Sequence, residues 1–143
     1  MEEHNPHDDP EKAKARKDQE DPWVMYLIVR ESLGMGAGKI GAQCGHAVGM
    51  MYEKLHGLKK QEKNQSVLDK LNTFEAWRNE SYRKVVLRAD DKEWEKLKAE
   101  LECFVVRDAG FTEVPAGSET VIGLWPMRKS QVPKIVKKLQ VLK

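Results

Sequence analysis

Lys39, Gln43 and His46 stand in the stretch 34–55, GMGAGKIGAQCGHAVGMMYEKL. A helix advances about 100° per residue, so these three side chains fall within about 60° of one another on one face. A cation, a carboxamide and an imidazole held side by side suit the stabilisation of an oxyanion or a phosphate and the placing of a carbonyl group. A second set lies in 107–120, RDAGFTEVPAGSET, where Asp108, Thr112, Ser118 and Thr120 crowd hydrogen-bonding groups into a loop with two glycines and a proline. Asp108 follows a buried strand, at the end of which α/β proteins often place their sites. Each feature has a plainer reading: Lys39 as a solvated side chain, Gln43 and Thr112 as structural polar groups, His46 bonded to nearby backbone, the loop as an ordinary turn.

Other chemistries lack their residues. Ser32, Ser66, Ser81, Ser118 and Ser130 are not in a G-x-S-x-G elbow, and Cys44 lies on an apolar stripe, so water is the preferred nucleophile. Cys44 and Cys103 have no paired spacing, and His4, His7, His46 and His56 form no ligand pattern, so neither a disulfide framework nor a metal site is expected. Neither G-x-G-x-x-G nor G-x-x-x-x-G-K-[ST] is present, which leaves little basis for nucleotide binding at the Gly-rich turn.

The elements that must position the polar sets follow from hydrophobic patterning. Residues 23–31, WVMYLIVRE, predict a strand buried on both faces, leading through 32–38 into the helix that carries Lys39. A strand, a glycine turn and a helix N-terminus in succession present free N–H groups to an anion. Along that helix Ile40, Cys44, Ala47, Val48, Met51 and Leu55 form the buried stripe. Gly41, Gly45 and Gly49 occupy another side; each costs a helix about 1 kcal/mol relative to Ala, which implies close approach of a backbone or a ligand. After a polar loop at 56–65 the pattern predicts a helix over 66–77, a strand over 83–88 and a helix over 90–100 begun by Asp90 or Asp91. Strands over 103–107 and 119–124 and a last helix over 129–138, with Pro133 in its first turn, complete the chain. The order βααβαββα implies an α/β fold with a small four-stranded mixed sheet and helices on both faces.

The chain has 143 residues and a net charge of +2. Residues 1–22 contain eight acids, four bases and almost no apolar side chains, and so are expected to be a disordered charged tail. That leaves about +6 on a single domain over 23–143, compatible with either a solvated lysine surface or a polyanion-binding face. No run of eighteen apolar residues and no secretory segment is present, so no membrane partner is expected. A reducing, cytoplasmic setting follows, with mitochondrial association left open.

The polar sets together resemble the type II peptidyl-tRNA hydrolase family, the archaeal and eukaryotic class. Its M-G-x-G-K-x-x-A-Q-x-x-H-A signature is matched by Met35, Gly36, Gly38, Lys39, Ala42, Gln43, His46 and Ala47, and its D-A-G-x-T by Asp108, Ala109, Gly110 and Thr112. The resemblance implies hydrolysis of the ester between a peptide and the 3′-terminal ribose of tRNA, without a cofactor. It places Lys39, Gln43, Asp108 and Thr112 at the active site, Asp108 either orienting or deprotonating the attacking water or holding Lys39 in place, a choice that sequence leaves open, with Gly38, His46, Gly110 and Ser118 contacting the acceptor end of the substrate. The protein would be a monomer or a homodimer. Two departures, Ala37 where the family has Lys and Trp125 where it has a small residue, support a rival reading, a non-catalytic tRNA- or RNA-binding module on the same fold.

Overall fold

The computed structural model describes residues 9–111 and 113–143. Its axis is β1 (Trp23–Arg30), apolar from Val24 to Val29 and buried on both faces. A short 3-10 turn at Glu31–Leu33 leads into α2 (Ala37–Lys60), followed by α3 (Gln65–Glu80) and β2 (Lys84–Ala89), which pairs with β1 in parallel. Next come α4 (Asp91–Glu100), β3 (Phe104–Arg107) and β4 (Glu119–Gly123). β5 (Met127–Arg128), α5 (Lys134–Lys137) and β6 (Gln140–Val141) end the chain. The strands lie in the order β3-β4-β1-β2-β6, with β5 paired to the start of β1. Every pairing other than β1 with β2 is antiparallel.

Period-two alternation in β1 creates two cores. Met25, Leu27 and Val29 meet Ala47 and Met51 of α2 and Phe74 and Trp77 of α3. Val24, Tyr26 and Ile28 pack on the other side with Trp94 and Leu97 of α4 and Val136 of α5. The close approach of α2 to the sheet rests on Gly123, where a Cβ would stand 2.7 Å from the Met51 methyl and 3.2 Å from the Ala47 Cβ. A glycine at the end of β4 thus lets the helix sit low over β3 and β4. Trp125 belongs to this core: its ring centroid is 4.8 Å from that of Phe74 and 6.0 Å from that of Phe104, and Nε1 donates to the Lys70 carbonyl oxygen at 3.1 Å.

Among the described residues the sheet has six strands, not the expected four. β5 and β6 have two residues each, too short to show alternation, and β6 falls in the stretch 139–142 after the predicted last helix. That helix is itself divided into a 3-10 turn at Lys129–Gln131 and the single turn of α5, because Pro133 has no N–H and disfavours helical backbone at Val132. α2 also runs past the expected loop to Lys60, since Leu58 extends the buried stripe of Met51 and Leu55.

Residues 1–8 lie outside the described residues, but the remainder of the expected disordered tail differs from the structure. α1 (Pro10–Glu20) is capped by Asp9, whose carboxylate accepts from Lys12 N–H at 2.9 Å. Asp18 is buried, bonded to Lys14 at 3.0 Å and to Arg128 at 2.9 Å, and the Asp21 carboxylate accepts from the Ser130 N–H and hydroxyl. Apolar content does not reveal such a segment, because polar pairs hold it. A chain starting at Trp23 loses these bonds, so its melting temperature is expected to fall by several degrees, about 1–2 kcal/mol. An unchanged melting curve would show that α1 contributes nothing to stability.

Candidate active site

Lys39 enters in the first turn of α2 and Asp108 follows the last residue of β3, and the two meet 69 positions apart in sequence. Lys39 Nζ lies 2.5 Å from Asp108 Oδ1, with the lysine side chain 10% and the aspartate side chain 5% exposed. Gln43, one turn along the helix, donates from Nε2 to the same oxygen at 3.2 Å. Its Oε1 accepts from the Thr120 hydroxyl of β4 at 2.5 Å, and both Gln43 and Thr120 are buried. Gln43 is therefore a fixed bridge between helix and sheet, with its carbonyl oxygen committed to Thr120.

The loop after β3 holds the carboxylate by its backbone. Gly110 N–H donates to Asp108 Oδ2 at 2.6 Å, Asp108 N–H to the Ser118 carbonyl at 2.9 Å, and Gly117 N–H to the Asp108 carbonyl at 2.7 Å. Ser118 thus braces the loop through its main chain. Gly110 has φ +85°, and a Cβ there would lie 2.6 Å from the Ala116 backbone. A side chain meets both a disfavoured dihedral and a fixed neighbour. Gly110→Ala is expected to destabilise the protein by about 1–3 kcal/mol and to lower turnover as its N–H leaves Oδ2. Thermal melting and turnover on one preparation test this, and wild-type values for both would remove Gly110 from the site.

Asp108 is held below the usual carboxylate range, first by the Lys39 hydrogen bond, against desolvation, and further by the Gly110 N–H and the charge of Lys39. It is therefore ionised at neutral pH and balances the lysine charge. The pair opens onto a cleft of about 900 Å³ between α2 and β3, to which Gly38, Lys39, Gln43, His46 and Asp108 all contribute. His46 is exposed on its wall, whereas Thr112 lies outside the described residues.

Two partnerships had no signal in the sequence. Thr120 stood out among the hydrogen-bonding groups of 107–120, but its bond to Gln43 spans 77 residues. Glu113 accepts from the Gly36 N–H at 2.8 Å, so a carboxylate already occupies the glycine turn where free N–H groups were expected to meet an anion.

Residues 23–142 match the family described as "Peptidyl-tRNA hydrolase PTH2". The peptidyl-tRNA hydrolase of Methanocaldococcus jannaschii is 31% identical over 124 residues, covering 82% of this chain and 98% of its own length. That of Methanococcus maripaludis strain C7 is 32% identical over 122 residues, 81% of this chain and 96% of its own. The human "Peptidyl-tRNA hydrolase 2, mitochondrial" is 30% identical over 125 residues, 83% of this chain and 64% of its own. The matched segment spans every strand of the sheet and every residue named above as lining the cleft, and the chain belongs to the peptidyl-tRNA hydrolase PTH2 family.

Proposed function

We propose that the protein hydrolyses peptidyl-tRNA, cleaving the ester to the terminal ribose and releasing free tRNA and peptide, with residues 23–143 as the working domain. The observation that carries this reading is a desolvated ammonium–carboxylate pair at the head of an open cleft, in a chain of this family. Water adds to the ester carbonyl carbon, and the oxyanion forms beside Lys39 Nζ, where a fixed positive charge lowers its energy. The bond to the ribose oxygen then breaks, and that oxygen takes up the proton the water gives up.

In this reading Asp108 keeps Lys39 aimed, and the remaining lone pair of Oδ2 orients the water. A carboxylate of lowered pKa is a weak base, so orientation is its larger contribution. Gln43 and Thr120 are positioning residues that fix Asp108 Oδ1 against the sheet. Thr112, His46 and Gly38 contact the substrate, with Thr112 assigned from the family motif. The acceptor end of tRNA is the proposed binding partner. Turnover of N-acetylaminoacyl-tRNA by the purified chain tests the reading, with release of acetylated amino acid expected. Tight tRNA binding without hydrolysis would support the RNA-binding alternative instead.

A further inference from the structure

The substrate named above has two arms, a polyanionic tRNA and a peptide, and the lining of the cleft distinguishes them. Its charged side chains are Lys39 and Arg107 against Asp108, Glu53 and Glu113, two cations facing three carboxylates. Both cations are already paired, Lys39 with Asp108 at 2.5 Å and Arg107 with Glu119 at 3.1 Å. A cleft with a slight negative excess and no unpaired Lys or Arg among its lining residues is a poor seat for a phosphate chain.

One wall of the cleft is β3, which among the described residues lies at the edge of the sheet and pairs on one side only, with β4. Side chains of a strand alternate between faces, yet Val105, Val106 and Arg107 in succession all line the cleft. The open backbone edge therefore faces it, and along such an edge every second residue presents N–H and C=O groups to a further strand. The opposite wall is α2, where a Cβ at Gly45 or Gly49 would have nothing within 4 Å, and Phe111, 91% exposed, stands at the rim. Helix residues 38–53 line the cleft over about 22 Å at 1.5 Å per residue. That length takes about six extended residues at about 3.3 Å each.

We propose that the peptide arm of the substrate lies in this cleft as an added strand on the free edge of β3, with its ester at Lys39 and its chain running along α2 toward Glu53. The inference rests on the hydrolase reading for the identity of the ligand. Main-chain pairing recognises any peptide sequence, as release of arbitrary nascent peptides requires. The tRNA arm leaves the cleft at the Lys39 end.

The test uses acetyl-alanyl-tRNA and its di-, tri- and tetra-alanyl counterparts, together with the same peptides joined to adenosine by a 3′-amide, which carries no scissile ester. From one residue to about four, kcat/KM is expected to rise about tenfold or more and the amide probes to bind correspondingly tighter, each by an amount typical of a few added backbone bonds. N-methylation of the peptide amides should remove that gain. Gly49→Leu should also remove it by filling the cleft, while Gly57→Leu, on the same helix but outside the cleft, should keep it. Equal kcat/KM and equal affinity at all lengths would overturn the proposal. So would a Gly49→Leu protein that loses deacylated tRNA as strongly as peptidyl-tRNA, which would put tRNA in the cleft. Length-dependent binding of the amide probes with no ester hydrolysis at all would overturn the hydrolase reading and leave the peptide groove standing.

Discussion

Lys39→Ala is expected to lower single-turnover hydrolysis of N-acetylaminoacyl-tRNA by at least about a hundredfold, the usual effect of deleting one oxyanion-stabilising donor. The fold should tolerate the change, because Ala is the better helix former and Lys39 packs against polar groups. The deletion leaves Asp108 with only Gln43 and Gly110 as hydrogen-bond donors, and a desolvated carboxylate without its cation is unfavourable. Stability should therefore fall modestly while turnover collapses. Near-wild-type turnover in a folded Lys39→Ala protein would take the ammonium out of the mechanism and favour a cleft that only binds.

Asp108→Asn separates charge from shape. The amide fills the same volume, but it cannot balance Lys39, and one of its two terminal atoms becomes a donor facing either the Lys39 and Gln43 donors or the Gly110 N–H. Turnover is expected to fall by about two to four orders of magnitude, the range associated with positioned acid–base groups. Affinity for tRNA should hold or improve, since one negative charge beside the substrate is gone. pH gives a second signature. Because the carboxyl is held below its ordinary range when folded, its contribution to stability is complete above the unfolded value near 4 and is lost as pH falls through the lower folded value. Any acid limb in the rate profile that belongs to Asp108 must then lie below about pH 4. A folded Asp108→Asn protein with unchanged hydrolysis would reduce the loop to a structural turn.

Local pattern made much of this legible. β1 was visible because six successive apolar residues must be buried on both faces, and α4 because Trp94, Leu97 and Leu101 recur at helical spacing; the choice of cap between Asp90 and Asp91 falls to Asp90, with Glu93 returning the bond to its N–H. Lys39, Gln43 and Asp108 were legible as residues, and the family motif assigned all three to one site. What sequence did not contain was direction. Gln43 was expected to reach for the ester, whereas its carbonyl oxygen is committed to Thr120, a contact set by the fit of α2 against Gly123. The polar contacts of α1 escaped for a related reason. Asp18 and Arg128 are 110 residues apart, and charged side chains give no periodic signal when they pair across a fold.

The glycine flank of α2 was expected to receive a backbone or a ligand, and among the described residues nothing outside the helix comes within 4 Å of a Cβ placed at Gly41, Gly45 or Gly49. The side-chain bonds that join α2 to the sheet and to the loop after β3 link residues 65, 69 and 77 positions apart. Contacts of such separation form after local helices during folding, because the intervening loop must first be closed. The parallel pairing of β1 with β2, across α2 and α3, imposes the same order. Recovery of hydrolysis after dilution from denaturant is therefore expected to report the docking of α2 on the sheet, and a recovery as fast as the return of helix signal would show that helix and site form together.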